Sequence, residues 1–105
     1  MLVMATFFAL HTTIGDPAKG WEWFSKGAPT LAAAMAAGQL PAKCVTTFNP
    51  YTFGRGDYVF CIWEAENKED VEKVLQEAGF NDYVTTDLMQ VAEIDWKELA
   101  KVAQP

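Results

Sequence analysis

The chain has 105 residues, room for one domain around one core. Half of those residues are hydrophobic and 13% are aromatic, which excludes a disordered polymer. The net charge is −6 and the eight Lys and Arg are scattered singly, so there is no basic stripe to displace counterions from nucleic acid or to meet an anionic membrane.

The apolar start, Met1 to Leu10, lacks the basic leader and the cleavage site of a signal peptide. No run approaches the roughly 18 apolar residues of a membrane span. Cys44 and Cys61 are too few for a secreted disulfide framework and lack C-x-x-C spacing, and are expected to be buried, reduced thiols. The protein is expected to be cytoplasmic.

Leu2 to His11 is apolar on both alternating faces, the pattern of a strand covered on both sides. Asp16 and Pro17 then form a helix start, the aspartate as cap and the proline at the first helical position. Trp21, Phe24, Ala28, Leu31 and Met35 follow at helical spacing, and the helix extends to Ala37 with Gly38 as its stop. Pro29 inside this run predicts a kink or break near Gly27.

Lys43–Phe48 and Tyr58–Glu66 read as strands joined by a turn-rich loop that contains Asn49, Pro50, Gly54 and Gly56. A loop symmetric about Thr52–Phe53 would set Cys44 opposite Cys61. Asn67 caps a helix over Lys68–Ala78, whose inner face is Val71, Val74, Leu75 and Ala78, and Gly79 ends it with Phe80 closing the turn. A last strand is expected over Val84–Ile94, and Asp95 with Glu98 has the shape of a capping box opening a short helix.

The order strand, helix, strand, strand, helix, strand is the split βαβ pattern of ferredoxin-like folds. Residues 1–105 therefore read as a single α+β domain, a four-stranded antiparallel sheet with two helices on one face. The other face cannot be polar, because Tyr58, Phe60 and Ile62 alternate with Val59, Cys61 and Trp63. Such a patch is rarely left in water, so a second copy of the sheet is the expected cover, burying well over ~1,000 Å².

Two stretches carry a resemblance. Asp57 to Val71, in which a strand ending in Glu64-Ala65 meets the polar turn and acidic start of a helix that closes on Ala78-Gly79-Phe80, resembles small dimeric α+β barrel proteins. The closing Asp87 to Asp95 is similar to their final strand. The resemblance implies a ferredoxin-like homodimer or higher homo-oligomer. That superfamily includes monooxygenases, cyclases, isomerases, ligand-binding regulators and families of unknown function, so it assigns no reaction.

His11 is the only histidine and the only side chain that ordinarily titrates near neutrality. At a strand end it would serve as a general base or ligand-orienting group, or else cap a loop. Trp23, Tyr51, Phe53, Tyr58 and Trp63 could wall a flat apolar or aromatic ligand, or be simple packing. Trp23 falls off the Trp21–Phe24 stripe. Arg55, in Gly54-Arg55-Gly56-Asp57, could bind an anion but has none of the rest of a phosphate loop. A metal would need His11 with Cys44, Cys61 or carboxylates, which lack ligand spacing, so no metal and no cofactor is expected. Two functions remain open: a small-molecule binder or modest acid–base enzyme built around His11, and a non-catalytic assembly or regulatory module that dimerises through its sheet.

Overall fold

The computed structural model describes residues 4–103. In chain order it has β1 (Ala5–Thr13), α1 (Pro17–Ala36), β2 (Ala42–Phe48), β3 (Tyr58–Ala65), α2 (Lys68–Ala78), β4 (Val84–Val91) and α3 (Trp96–Val102). Leu2 and Val3 of the expected first strand lie outside the described residues.

The strands form one antiparallel sheet in the order β2-β3-β1-β4. β1 is central, as its two apolar faces require. The last strand stops at Val91, paired with Thr6 near the start of β1, and Ile94 beyond it is exposed.

The helix starts follow from short-range chemistry. The Asp16 carboxylate accepts from the Ala18 N–H at 2.9 Å, and the Asn67 side-chain oxygen accepts from the Asp70 N–H at 3.0 Å. Asp95 accepts from the Lys97 N–H at 2.9 Å, but Glu98 turns to Lys101 at 2.9 Å and leaves the reciprocal half of the box unmade. Gly79 has φ +91°, a left-handed residue closing α2, and Phe80 beyond it is buried.

The expected break near Gly27 is absent, and α1 is one continuous 20-residue helix with Pro29 inside it. Pro29 and Ser25 are exposed, so the Ser25 carbonyl, to which Pro29 has no N–H to offer, belongs to the solvent side of the helix.

The two helices cover the sheet unequally. Val71, Val74 and Leu75 of α2 are buried against Phe7, Ala9, Trp63 and Ala65 of the sheet. No residue of α1 is buried. Its expected stripe, Trp21 to Met35, is half-buried along its whole length and lies over open space. On the opposite sheet face Phe8, Leu10, Phe48, Tyr58, Phe60 and Ile62 are partly or fully exposed, with the Phe8 and Phe60 rings 6.0 Å apart. No helix among the described residues is long and apolar enough to cross a membrane.

Replacing Asn67 by Ala removes the cap on the one helix that anchors the core. The expected outcome is a loss of about 1 kcal/mol in urea unfolding.

Candidate functional site

Alternation along β1 turns Phe7, Ala9 and His11 toward the helices. His11 therefore lies on the covered face, 2% exposed, opposite Val59 on β3 and Thr86 on β4. Its Nδ1 is 2.7 Å from the Thr86 hydroxyl, and its Nε2 has no partner. A hydroxyl can donate or accept, so the pair can present either a lone pair or a proton at Nε2. Burial pushes the imidazolium pKa down from 6.5 to about 4, which keeps the ring neutral near pH 7.

The ring lines a cavity of about 60 Å³, walled by Trp21, Trp23 and Phe24 of α1, Tyr51 of the β2–β3 loop, and Phe80 and Tyr83 before β4. The aromatic wall is continuous. Trp23 stacks on Tyr83 at 4.7 Å and meets Phe80 edge-on at 5.2 Å, while Trp21 stacks on Phe24 at 5.5 Å and on Tyr51 at 5.9 Å. Trp23 thus has its own partners off the main stripe of α1.

Phe24, Cys61 and Phe80 also bound a second cavity, about 460 Å³, which extends along α1 to Met35 and across to β2. Trp63 lines it from β3. It is 1% exposed and its indole Nε1 has no partner. The two compartments share a wall, and each carries one unpartnered buried polar atom.

The loop that carries Tyr51 is fixed to the sheet. Thr13 donates from its hydroxyl to the Gly56 carbonyl at 2.6 Å and from its N–H to the Asp57 carbonyl at 2.9 Å. A Cβ on Gly56 would sit 2.7 Å from the Pro17 ring, so the close approach of this loop to α1 requires glycine.

Of the residues singled out in the sequence, His11, Trp23 and Tyr51 meet at the smaller cavity and Trp63 stands at the larger. Tyr58 lies on the uncovered sheet face beside Phe60, at 6.4 Å. Phe53 is 88% exposed, and the exposed Arg55 is paired with Asp57 at 3.1 Å at the hairpin tip. Phe80, Tyr83 and Thr86 were not singled out as site residues. Thr86 becomes legible only once the β1–β4 register is known, and register is not a local property.

Cys44 is opposite Trp63 rather than Cys61, which faces Thr47. The Tyr51–Phe53 turn and left-handed Gly54 move the hairpin centre, and a bulge between Cys44 and Thr46 shifts the register again. Both cysteines are free thiols. Among the described residues no group of three or more His, Cys, Asp or Glu converges as a metal site would require.

No protein-family description matches the chain. No curated protein matches it either. Among solved structures, SnoaB, a cofactor-independent oxygenase from Streptomyces nogalater, aligns over 88% of this chain and 94% of its own, with 13% identity and a TM-score of 0.52. The fold is ferredoxin-like. A mutant of the same oxygenase aligns over the same shares at 18% identity and a TM-score of 0.49. Identities this low speak for the fold and not for the reaction.

The depressed His11 pKa has a consequence for stability. The unfolded chain takes up this proton near pH 6.5, the folded chain only near 4. The contribution is therefore fully present above about pH 6.5 and is lost as pH falls toward 4. Over that window the wild type is expected to lose about 3 kcal/mol more than His11→Gln, measured by urea unfolding at each pH.

Proposed function

We propose that this chain binds a small, largely apolar or aromatic compound between α1 and the sheet, and that His11 handles the compound's one polar, weakly acidic group. The carrying observation is the buried, unpartnered Nε2 of His11 at the wall of an aromatic-lined cavity. An orphaned buried polar atom costs roughly 1–3 kcal/mol, which a ligand hydroxyl or carbonyl would offset. The smaller compartment, about 60 Å³, has the room of a functional group, and the adjoining 460 Å³ has that of a ligand body.

The same geometry supports a modest acid–base step. A proton leaving a phenol or enol of the ligand would pass to Nε2, with Nδ1–H held by the Thr86 hydroxyl. A ring with a pKa of about 4 is a poor base on its own. It becomes a competent one when the donor turns into an anion beside it, because the imidazolium then has a counter-charge in a low-dielectric site. An oxygenase described as cofactor-independent on the same fold is compatible with chemistry run by the protein's own side chains.

The uncovered sheet face favours a second feature, pairing with another copy of the chain. Phe8, Phe60, Ile62 and Tyr58 would form its centre.

Two measurements test these readings. Titration with naphthol, a flat apolar compound with one hydroxyl, should quench Trp21 and Trp23 fluorescence. His11→Gln should weaken that binding about tenfold, the worth of one hydrogen bond of about 1.4 kcal/mol, while stability at pH 7 stays within about 1 kcal/mol. Unchanged affinity would remove His11 from the site. Light scattering at micromolar concentration should report about twice the 11.7 kDa chain mass, and Phe60→Asp should return it to one chain. A wild-type monomer with the same fold contradicts the pairing.

A further inference from the structure

The larger compartment carries a pair of thiols that the ligand reading does not use. On its wall Cys44, Thr47 and Cys61 share the helix-facing side of β2 and β3. The Thr47 hydroxyl lies 3.6 Å from Cys44 Sγ and 3.3 Å from Cys61 Sγ, so the two sulfurs bracket one oxygen. Cys44 is further oriented by its N–H, which donates to Met35 Sδ at 3.3 Å. Cys61 is buried and Cys44 half-buried.

We propose that Cys44 and Cys61 form a peroxide-reactive dithiol, with Cys44 as the attacking and Cys61 as the resolving thiol, and that its substrates are hydroperoxides of apolar compounds able to enter this cavity. The Cys44 thiolate attacks the terminal oxygen of the hydroperoxide and the O–O bond breaks. Cys44 becomes a sulfenic acid, and the departing alkoxide takes the proton lost by the thiol and leaves as the alcohol. The Cys61 sulfur then attacks the Cys44 sulfur, and the hydroxyl leaves with the Cys61 proton as water. The two thiols have given up two hydrogens to one hydroperoxide. A small external dithiol reverses the disulfide by exchange.

The environment divides these roles. The neighbouring Cys61 thiol, helped by the Thr47 hydroxyl, draws the Cys44 pKa down to about 7 against the effect of burial. The Cys44 thiol beside it and its own burial push Cys61 up, so it stays protonated. The strand geometry makes closure reversible. Cys44 and Cys61 are diagonal neighbours on adjacent strands, a relation that sets Cα atoms roughly 7–8 Å apart, where a disulfide closes only with backbone movement. Closing the bond therefore draws on the bulge between Cys44 and Thr46, on the edge strand β2, where pairing is already irregular. A bond under such tension is readily reduced.

The test treats the reduced wild-type chain with cumene hydroperoxide or hydrogen peroxide and reads intact mass after alkylation in denaturant. The expected product has lost two hydrogens, is protected at both cysteines, stays a single covalent chain, and is restored by dithiothreitol. Cumene hydroperoxide should act faster than hydrogen peroxide, and equal rates would overturn the apolar substrate class. Cys61→Ser should accumulate a dimedone adduct on Cys44, and Cys44→Ser should leave Cys61 unmodified. A dimedone adduct on Cys61, or a disulfide only between chains, overturns the assignment. Alkylation of the wild type against pH provides a readout that needs no variant. Cys44 should titrate near pH 7 and react about threefold faster at that pH than free cysteine, its thiolate share rising ~15-fold and its nucleophilicity falling ~5-fold. A midpoint near the ordinary value of about 8.5 would overturn the proposal as well.

Discussion

The pairing of β1 with β4 sets His11 opposite Thr86, and most of the site's chemistry follows from that register. β1 is hydrogen-bonded on both edges, so His11 cannot leave the covered face without breaking the centre of the sheet. A one-residue slip would turn His11 to the uncovered face and bring Leu10 inside. Thr86 occupies one ring nitrogen, the apolar walls surround the rest, and burial holds the ring neutral. The second nitrogen is left buried and without a partner, on a residue that lines the cavity.

The other half of the site depends on the unequal packing of the two helices. α2 is seated by Val71, Val74 and Leu75 and makes the core rigid on its side. α1 spans 20 residues with no buried side chain, and its aromatic face rests on other aromatic rings rather than on the sheet. Tyr83 and Phe80 reach it from the α2–β4 connection, where left-handed Gly79 also lets Trp23 lie 3.4 Å from where a Cβ would stand. The space under α1 is therefore a product of the fold's connections. It is wide where Ala28 and Ala32 provide little volume and narrow where Trp21, Trp23 and Phe24 converge on His11.

Much of this was legible in the residues themselves. Helix starts at Asp16 and Asn67, the stop at Gly79, and the two apolar faces of the central strand are local patterns, and each appears in the structure. His11, the only histidine, and Trp23, an aromatic off its helix stripe, also stand out in the sequence, and both line the smaller cavity. What was not legible depends on register or on solvent. Thr86 as the partner of His11, and Thr47 between the thiols, required knowing which residues face each other across strands. The bulge near Val45 leaves no sequence mark. Pro29 predicts a kink or break, yet the helix runs on through it on its exposed side, where the Ser25 carbonyl is not shut away from solvent by the core.

The proposed site depends on one imidazole being neutral, buried and free at one nitrogen. Because His11 is the only histidine, nitrogen NMR of the imidazole reports on it without assignment. The ring should remain neutral from pH 7 down to about 5 and take up a proton near 4, with Nδ1 showing the hydrogen bond to Thr86. A ring that titrates near 6.5, as one in water does, would contradict the buried, cavity-facing histidine on which the proposed function depends.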